Sequence, residues 1–188
     1  MKNPKSKKMQ NSKTAFKREF SAGGVVYKKK DNKLEWLIGK HSGYHKWVLP
    51  KGLIEKGEKG FETALRETKE EMGVKVRLVS EKPIHRVQYV YWADFKKPVD
   101  SSNYQQSDEI NQRRRVARYQ ESGGKKTRVF KVVSFYLMEY ESGDSEDHDW
   151  EMEEAGWYTY KEAKEKLAFQ GEKETLKKAN DRISGNRI

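Results

Sequence analysis

The chain has 188 residues, a length typical of one domain, and its charged residues (37%) outnumber its hydrophobic ones (34%). The formal net charge of +11 favours anionic partners such as nucleotides, polyphosphates and nucleic acid. Because cysteine is absent, disulfides, thiolate chemistry and sulfur-ligated zinc are excluded.

The N-terminal segment and the hydropathy of the chain indicate where in the cell we expect the protein. Residues 1–18 hold seven Lys or Arg and no acidic residue, which predicts a disordered basic tail before a single domain over 19–188. No apolar run approaches the roughly 20 residues that span a bilayer. We therefore expect a cytoplasmic protein with no membrane contact. A mitochondrial transit peptide is an alternative interpretation of the tail.

The first half of the domain predicts three strands and a helix. Small, β-branched and aromatic residues predict strands over 20–27, 34–39 and 47–49, the last one stopped by Pro50. A loop over 51–59 follows. Uncharged, mostly apolar residues then recur at three- and four-residue spacing among charged ones and predict an amphipathic helix that ends at Gly73; they are Phe61, Ala64, Leu65, Thr68 and Met72.

The second half predicts further strands and a C-terminal helix. Strand patterns occupy 74–79, 85–92, 129–140 and 154–158, and 161–180 has helical composition that Gly171 would divide. The expected buried positions of that helix are Ala163, Leu167, Leu176 and Ala179. The polar stretch 93–128 is too long for a hairpin loop, so we expect an insertion between paired strands.

Three glutamates of the first helix point to metal chemistry. Glu67, Glu70 and Glu71 lie at i, i+3 and i+4, so their carboxylates share one helical face and repel one another unless a cation neutralises them. Oxygen ligands suit Mg²⁺ or Mn²⁺, which also bridge substrate phosphates. Arg66 is expected to hold Glu70, and the Gly52 carbonyl could add a neutral ligand.

The same residues resemble the Nudix box. Gly52, Glu58, Arg66-Glu67, Glu70-Glu71 and Gly73-Val74 stand at the spacing of that motif, and Thr68 departs from it because the family prefers an aliphatic residue there. The resemblance implies an α/β fold, an α/β/α sandwich with a mixed central sheet. It also implies that the three glutamates and the Gly52 carbonyl bind metal, and that one glutamate activates or orients water.

A narrower resemblance is to the diadenosine tetraphosphate hydrolase branch of that family. It rests on the segment 45–52, on Glu55 and Gly57-Glu58, and on Glu151 six residues before Trp157. The branch implies Lys51 beside the polyphosphate and Glu151 as a further metal ligand or base. Loop position alone nominates Tyr44 or His45 to contact the nucleobase or ribose. Tyr89, in the predicted strand over 85–92, is a further candidate for stacking on the nucleobase.

The sequence thus predicts a metal-dependent hydrolase that cleaves a diphosphate linkage in a nucleoside polyphosphate, with a dinucleoside polyphosphate as the first candidate substrate. One alternative is a related enzyme acting on another nucleoside diphosphate derivative or on an RNA 5′ end. A second is an RNA-binding module on the same fold, with contacts from the basic tail and from Arg113 to Arg118 of the insertion. The sequence does not predict an oligomeric state.

Overall fold

The structure, a computed structural model, describes residues 16–31, 33–93 and 127–185. Residues 1–15 of the basic tail and 94–126 of the insertion lie outside this range, so both remain predictions. Two compact units divide the chain. One comprises Arg18–Val90 and Phe130–Ile188 and holds the helices and most of the sheet; the other comprises Met1–Lys17 and Tyr91–Val129.

The described residues form eight strands, three α-helices and a short 3-10 helix at Ser145–Asp147. The strands are β1 (Phe16–Lys30), β2 (Lys33–His41), β3 (Lys46–Val48), β4 (Lys51–Leu53), β5 (Val74–Leu78), β6 (His85–Ala93), β7 (Thr127–Gly143) and β8 (Met152–Thr159). The helices are α1 (Gly60–Met72), α2 (Tyr160–Lys166) and α3 (Gln170–Ile183). Within the described ranges, no helix is long and apolar enough to cross a membrane.

The strands form one sheet in the order β3-β2-β1-β7-β5, with β4 on β1, β6 on β7 and β8 on β2. Strand β2 is antiparallel to β1, β3 and β8. Strand β4 is antiparallel to β1, where Ala22 faces Gly52. The expected loop over 51–59 is therefore wrong for its first three residues, which pair with a strand that is distant in sequence.

Alternating side chains of the central strands build two separate cores. Val25 and Ile38 pack in one core with the α2 and α3 residues Ala163, Leu167, Leu176 and Ala179. Val26 and Leu37 pack in the other core with Ala64 and Met72 of α1. Because neighbouring strand residues point to opposite faces, the sheet lies between α1 on one side and α2 with α3 on the other.

The C-terminal helical segment differs from its prediction. All four expected apolar positions are buried, but the segment forms two helices that are separated at Leu167–Phe169. Gly171 lies in the first turn of α3 and does not divide a helix. A residue outside the segment stabilises the break between the two helices. The Ala168 N–H donates to the Trp47 carbonyl (3.0 Å) and not to a carbonyl of the helix.

Helix α1 begins and ends where local chemistry requires. The Lys59 N–H at its start donates to the Glu62 carboxylate (2.8 Å). Gly73 ends it in the left-handed conformation at φ 68°, and the Gly73 N–H donates to the Lys69 carbonyl. A Cβ at Gly73 would lie 2.5 Å from the Asp144 carbonyl oxygen, so glycine is also required by space.

Candidate active site

The three glutamates of α1 differ in exposure. Glu67 and Glu71 are buried, whereas the Glu70 side chain is 38% exposed. The i, i+4 spacing thus turns Glu67 and Glu71 together toward the sheet, and Glu70 lies at the edge of the same face. Two carboxylates buried side by side repel each other and require compensation from their surroundings.

Arg66 ties the α1 carboxylates to the preceding loop. Its Nε and Nη2 donate to the two oxygens of Glu58 (2.8 and 3.0 Å), and its Nη1 donates to Glu67 (2.6 Å) and Glu70 (3.2 Å). Nη2 also reaches the Leu53 carbonyl (3.3 Å). The predicted Arg66–Glu70 pair is present, and the same guanidinium also ties Glu58 of the preceding loop to α1, so that it orients the acidic cluster.

Strand β4 brings backbone groups to the two buried carboxylates. The Lys51 N–H donates to Glu71 Oε2 (2.9 Å). A Cβ placed on Gly52 would lie 2.0 Å from Glu67 Cδ, so the Glu67 carboxylate occupies the space that any other residue would fill. The absence of a side chain at Gly52 therefore makes room for the Glu67 carboxylate, and the structure places these two residues side by side.

The charge balance of this cluster fits a divalent cation. Burial raises the pKa of Glu71 well above its usual range, and nearby Glu67 and Glu151 raise it further, while Lys51 opposes them. As positioned, no three histidine or acidic side chains of the described residues form a ready metal site. Arg66 is bonded to Glu67 and Glu70 and already neutralises part of the charge that a divalent cation would balance.

Lys51 forms a buried ion pair that the sequence did not predict. Its Nζ lies 3.6 Å from Glu172 Oε1 and 3.4 Å from the Leu49 carbonyl oxygen, and its charge acts on the Tyr44 hydroxyl. Although burial disfavours its charged form, Glu172, Tyr44 and Glu71 hold the pKa of Lys51 above its ordinary value. Lys51 therefore presents a positive charge beside the Glu71 carboxylate.

A second lysine near the cluster was also missed. Lys131 of β7 is half-buried, and burial followed by the charge of Lys51 lowers its pKa, while Glu19, Glu71 and Glu67 raise it. Tyr89 of β6 also influences Lys51 electrostatically. Lys51 and Lys131 thus both interact electrostatically with the buried Glu71.

The loop 42–45 carries the remaining predicted residues. The Tyr44 ring stacks on His41 (4.0 Å between centroids), and the Ser42 N–H donates to the Glu151 carbonyl (2.8 Å). His45 is in the left-handed region at φ 54°, its side chain is 69% exposed, and it bonds to Glu153. Tyr44 interacts electrostatically with Lys51, and the charge of Glu151 raises the pKa of Glu71. His45, in contrast, is exposed to solvent.

Replacing Glu58 by glutamine is expected to lower the melting temperature at pH 7 and to have little effect near pH 2. Hydrogen bonds from Arg66 hold the pKa of Glu58 at about 2, below its ordinary 4.5. The stabilisation is therefore complete above pH 4.5 and is lost as pH falls toward 2. Thermal unfolding from pH 7 to pH 2.5 measures it, with exposed Glu165→Gln as the control; an equal loss at both ends contradicts this explanation.

Comparison with known proteins identifies the family. Residues 17–179 match the NUDIX domain family. The chain belongs to the NUDIX family. A proposed mutator protein, MutT4, of Mycobacterium tuberculosis (strain CDC 1551 / Oshkosh) is 29% identical over 171 residues, which are 88% of this NUDIX chain and 56% of that protein. The asymmetrical bis(5'-nucleosyl)-tetraphosphatase of Caenorhabditis elegans is 42% identical over 55 residues, 29% of this chain and 40% of that enzyme. The matches thus span about half or less of these relatives.

Solved structures show the NUDIX fold. A C. elegans Ap4A hydrolase in a binary complex superposes with a TM-score of 0.59 at 21% identity, covering 89% of this chain and 98% of that one. The NUDIX domain of Shewanella oneidensis NrtR, complexed with ADP ribose, superposes with a TM-score of 0.54 at 14% identity, covering 88% of each chain. The predicted sandwich of helices around a mixed sheet is confirmed.

Proposed function

We propose that this NUDIX chain is a magnesium-dependent hydrolase that cleaves a diphosphate linkage in a nucleoside polyphosphate, with a dinucleoside polyphosphate as the favoured substrate. One observation carries the proposal. Two buried glutamates, Glu67 and Glu71, lie against the backbone of Lys51 and Gly52, and the charge of the Lys51 ammonium acts on Glu71. Buried anions beside a buried cation form a site for a metal-bound phosphate chain.

The proposed metal ligands are the carboxylates of Glu67, Glu70 and Glu71 and the carbonyl of Gly52. This all-oxygen set fits Mg²⁺, or Mn²⁺ in its place. When bound, such an ion polarises phosphoryl oxygens and lowers the pKa of bound water. Arg66 already bonds Glu67 and Glu70, so it would set the directions in which these carboxylates can turn.

The chain's other groups would bind the substrate and handle the proton. Lys51 and Lys131 would offset negative charge on the phosphates, which is worth most in a partly buried site. Either a glutamate of α1 or Glu151 would accept the proton of the attacking water. The charge of Glu151 already raises the pKa of Glu71. Tyr44 and Tyr89 lie near Lys51 and would contact the nucleoside.

Two considerations support the polyphosphate substrate. The segment that matches the nematode tetraphosphatase is 42% identical, and that relative's name states its substrate class. The net charge of +11 would also draw in a polyanion. A panel of substrates would reveal whether the enzyme acts instead on ADP ribose, which the NrtR domain binds, or on RNA 5′ ends. RNA binding without hydrolysis and the cytoplasmic location remain predictions.

The proposed function predicts metal-dependent turnover of one substrate class. The purified chain would be incubated with diadenosine tetraphosphate, ADP ribose, oxidised nucleoside triphosphates and triphosphorylated RNA, with Mg²⁺, with Mn²⁺ or with EDTA. We expect asymmetric cleavage of the dinucleotide to a mononucleoside triphosphate and monophosphate, and loss of turnover in EDTA. Product separation by ion-exchange chromatography identifies the bond that breaks. Turnover that persists in EDTA would contradict the proposed metal site.

A further inference from the structure

Glu172 is a buried carboxylate that the proposed reaction does not use. It lies in the first turn of α3 and is 4% exposed. Its Oε2 accepts from the Leu49 N–H (3.0 Å), and its Oε1 lies 3.6 Å from Lys51 Nζ. A carboxylate is buried at this cost only where it is paired and hydrogen-bonded. Both of its described contacts are to the segment that leads into Gly52.

The position of Glu172 determines which carboxylate forms an ion pair with the Lys51 ammonium. Lys51 lies between two buried glutamates, since its ammonium is near Glu172 and its N–H is bonded to Glu71. Glu172 is the stronger of the two in holding the charged form of Lys51. If Glu172 were neutral, Glu71 would be the principal buried carboxylate left to that ammonium. An ammonium on Glu71 would compete with a divalent cation for the same oxygens.

We propose that Glu172 is a positioning residue, which holds the Lys51 ammonium on the α3 side of the site and thereby leaves Glu71 to the metal. This inference rests on the proposed function, because it gives Lys51 and Glu71 the roles assigned above. It makes α3 part of the site, although α3 lies more than a hundred residues after Lys51 in the chain. Glu172 itself would touch neither the phosphates nor the ion.

Glu172→Gln tests the inference, because glutamine keeps an acceptor for the Leu49 N–H and removes only the charge. The matched control is Glu174→Gln, an exposed glutamate of the same helix that bonds to Gln170. We expect Glu172→Gln to raise the KM for the polyphosphate on the order of tenfold and to weaken Mn²⁺ binding by a similar factor, with kcat at saturating Mg²⁺ within about threefold. Mn²⁺ binding would be measured by calorimetry without substrate.

A second pair of variants separates this role from a purely structural one. Lys51→Met removes the group through which Glu172 is proposed to act, so Glu172→Gln added to Lys51→Met should change neither KM nor Mn²⁺ affinity further. A further loss in that background would overturn the inference, as would Glu172→Gln behaving like Glu174→Gln. If Glu172→Gln fails to fold, the comparison of Lys51→Met with the double variant decides alone, because the double variant removes both charges of the buried pair together. Should the wild type show no turnover, the proposed function fails, while the Mn²⁺ titrations still test Glu172.

Discussion

Glu71→Gln should lower kcat on the order of a thousandfold and leave the fold intact. Glutamine has nearly the same shape and can still accept the Lys51 N–H, but it cannot supply a charged oxygen to a cation. Burial, Glu67 and Glu151 all disfavour the charged carboxylate in the metal-free protein. We therefore expect the melting temperature of the variant in EDTA at pH 7 to be at least that of the wild type. Steady-state kinetics and thermal unfolding measure the two effects.

The control for Glu71→Gln is Glu62→Gln, at an exposed position on the same helix. Its amide oxygen can still accept from the Lys59 N–H, so both activity and stability should be close to those of the wild type. Near-normal turnover by Glu71→Gln would rule out the proposed site. A large loss of stability would instead mean that Glu71 has a structural role.

Gly52→Ala should reduce activity on the order of a hundredfold while changing the free energy of unfolding by less than about 1 kcal/mol. The added Cβ would fall 2.0 Å from Glu67 Cδ, so the Glu67 carboxylate must move. That carboxylate is the end of a flexible side chain, and the backbone of Gly52 does not need a positive φ, so the fold accommodates the change. The displaced Glu67 would no longer be correctly placed for a cation.

Gly156→Ala is the matched control for this substitution. Its new Cβ would lie 3.3 Å or more from the Tyr158 ring, a distance that a small shift relieves. We expect wild-type turnover from this variant. Activity measured beside chemical denaturation distinguishes the two sites, and a Gly52→Ala protein with full activity would show that Glu67 need not lie where the structure has it.

The parts of the site that the sequence predicted are those whose partners lie close in the chain. The spacing of apolar residues predicted α1, and its buried positions Ala64, Thr68 and Met72 agree with that pattern. Gly73 was predicted as the stop because a left-handed cap favours glycine, and it is one. The Arg66–Glu70 pair follows from i, i+4 spacing on a helix.

The parts that were missed depend on contacts between distant segments. Residues 51–53 form strand β4 only because β1 lies beside them. A segment of three residues is too short to show the alternation of polar and apolar side chains that predicts a strand. Glu172 and Lys131 reach the site through the packing of α3 and β7, and no local pattern distinguishes them from the many other charged residues. The sequence could predict the acidic helix α1 and could not predict the groups from distant segments that surround it.

Thr68, which departs from the family motif, has a physical explanation. It is fully buried, and a Cβ on Gly24 would lie 2.4 Å from Thr68 Oγ1, so helix α1 and strand β1 approach closely at this point. The Thr68 hydroxyl also lies 3.8 Å from Met138 Sδ. Gly24 on the facing strand thus leaves room for Thr68, the residue that departs from the motif.

Strand β2 has a consequence for synthesis of the protein on the ribosome. It is antiparallel to β8, with Gly39 opposite Ala155, so this pairing closes a loop of more than a hundred residues. Contacts that are so far apart in sequence form slowly, because the loss of chain entropy precedes the gain from pairing. A nascent chain carries the complete acidic helix well before β8 emerges, and during that interval one edge of β2 is exposed to other polypeptides.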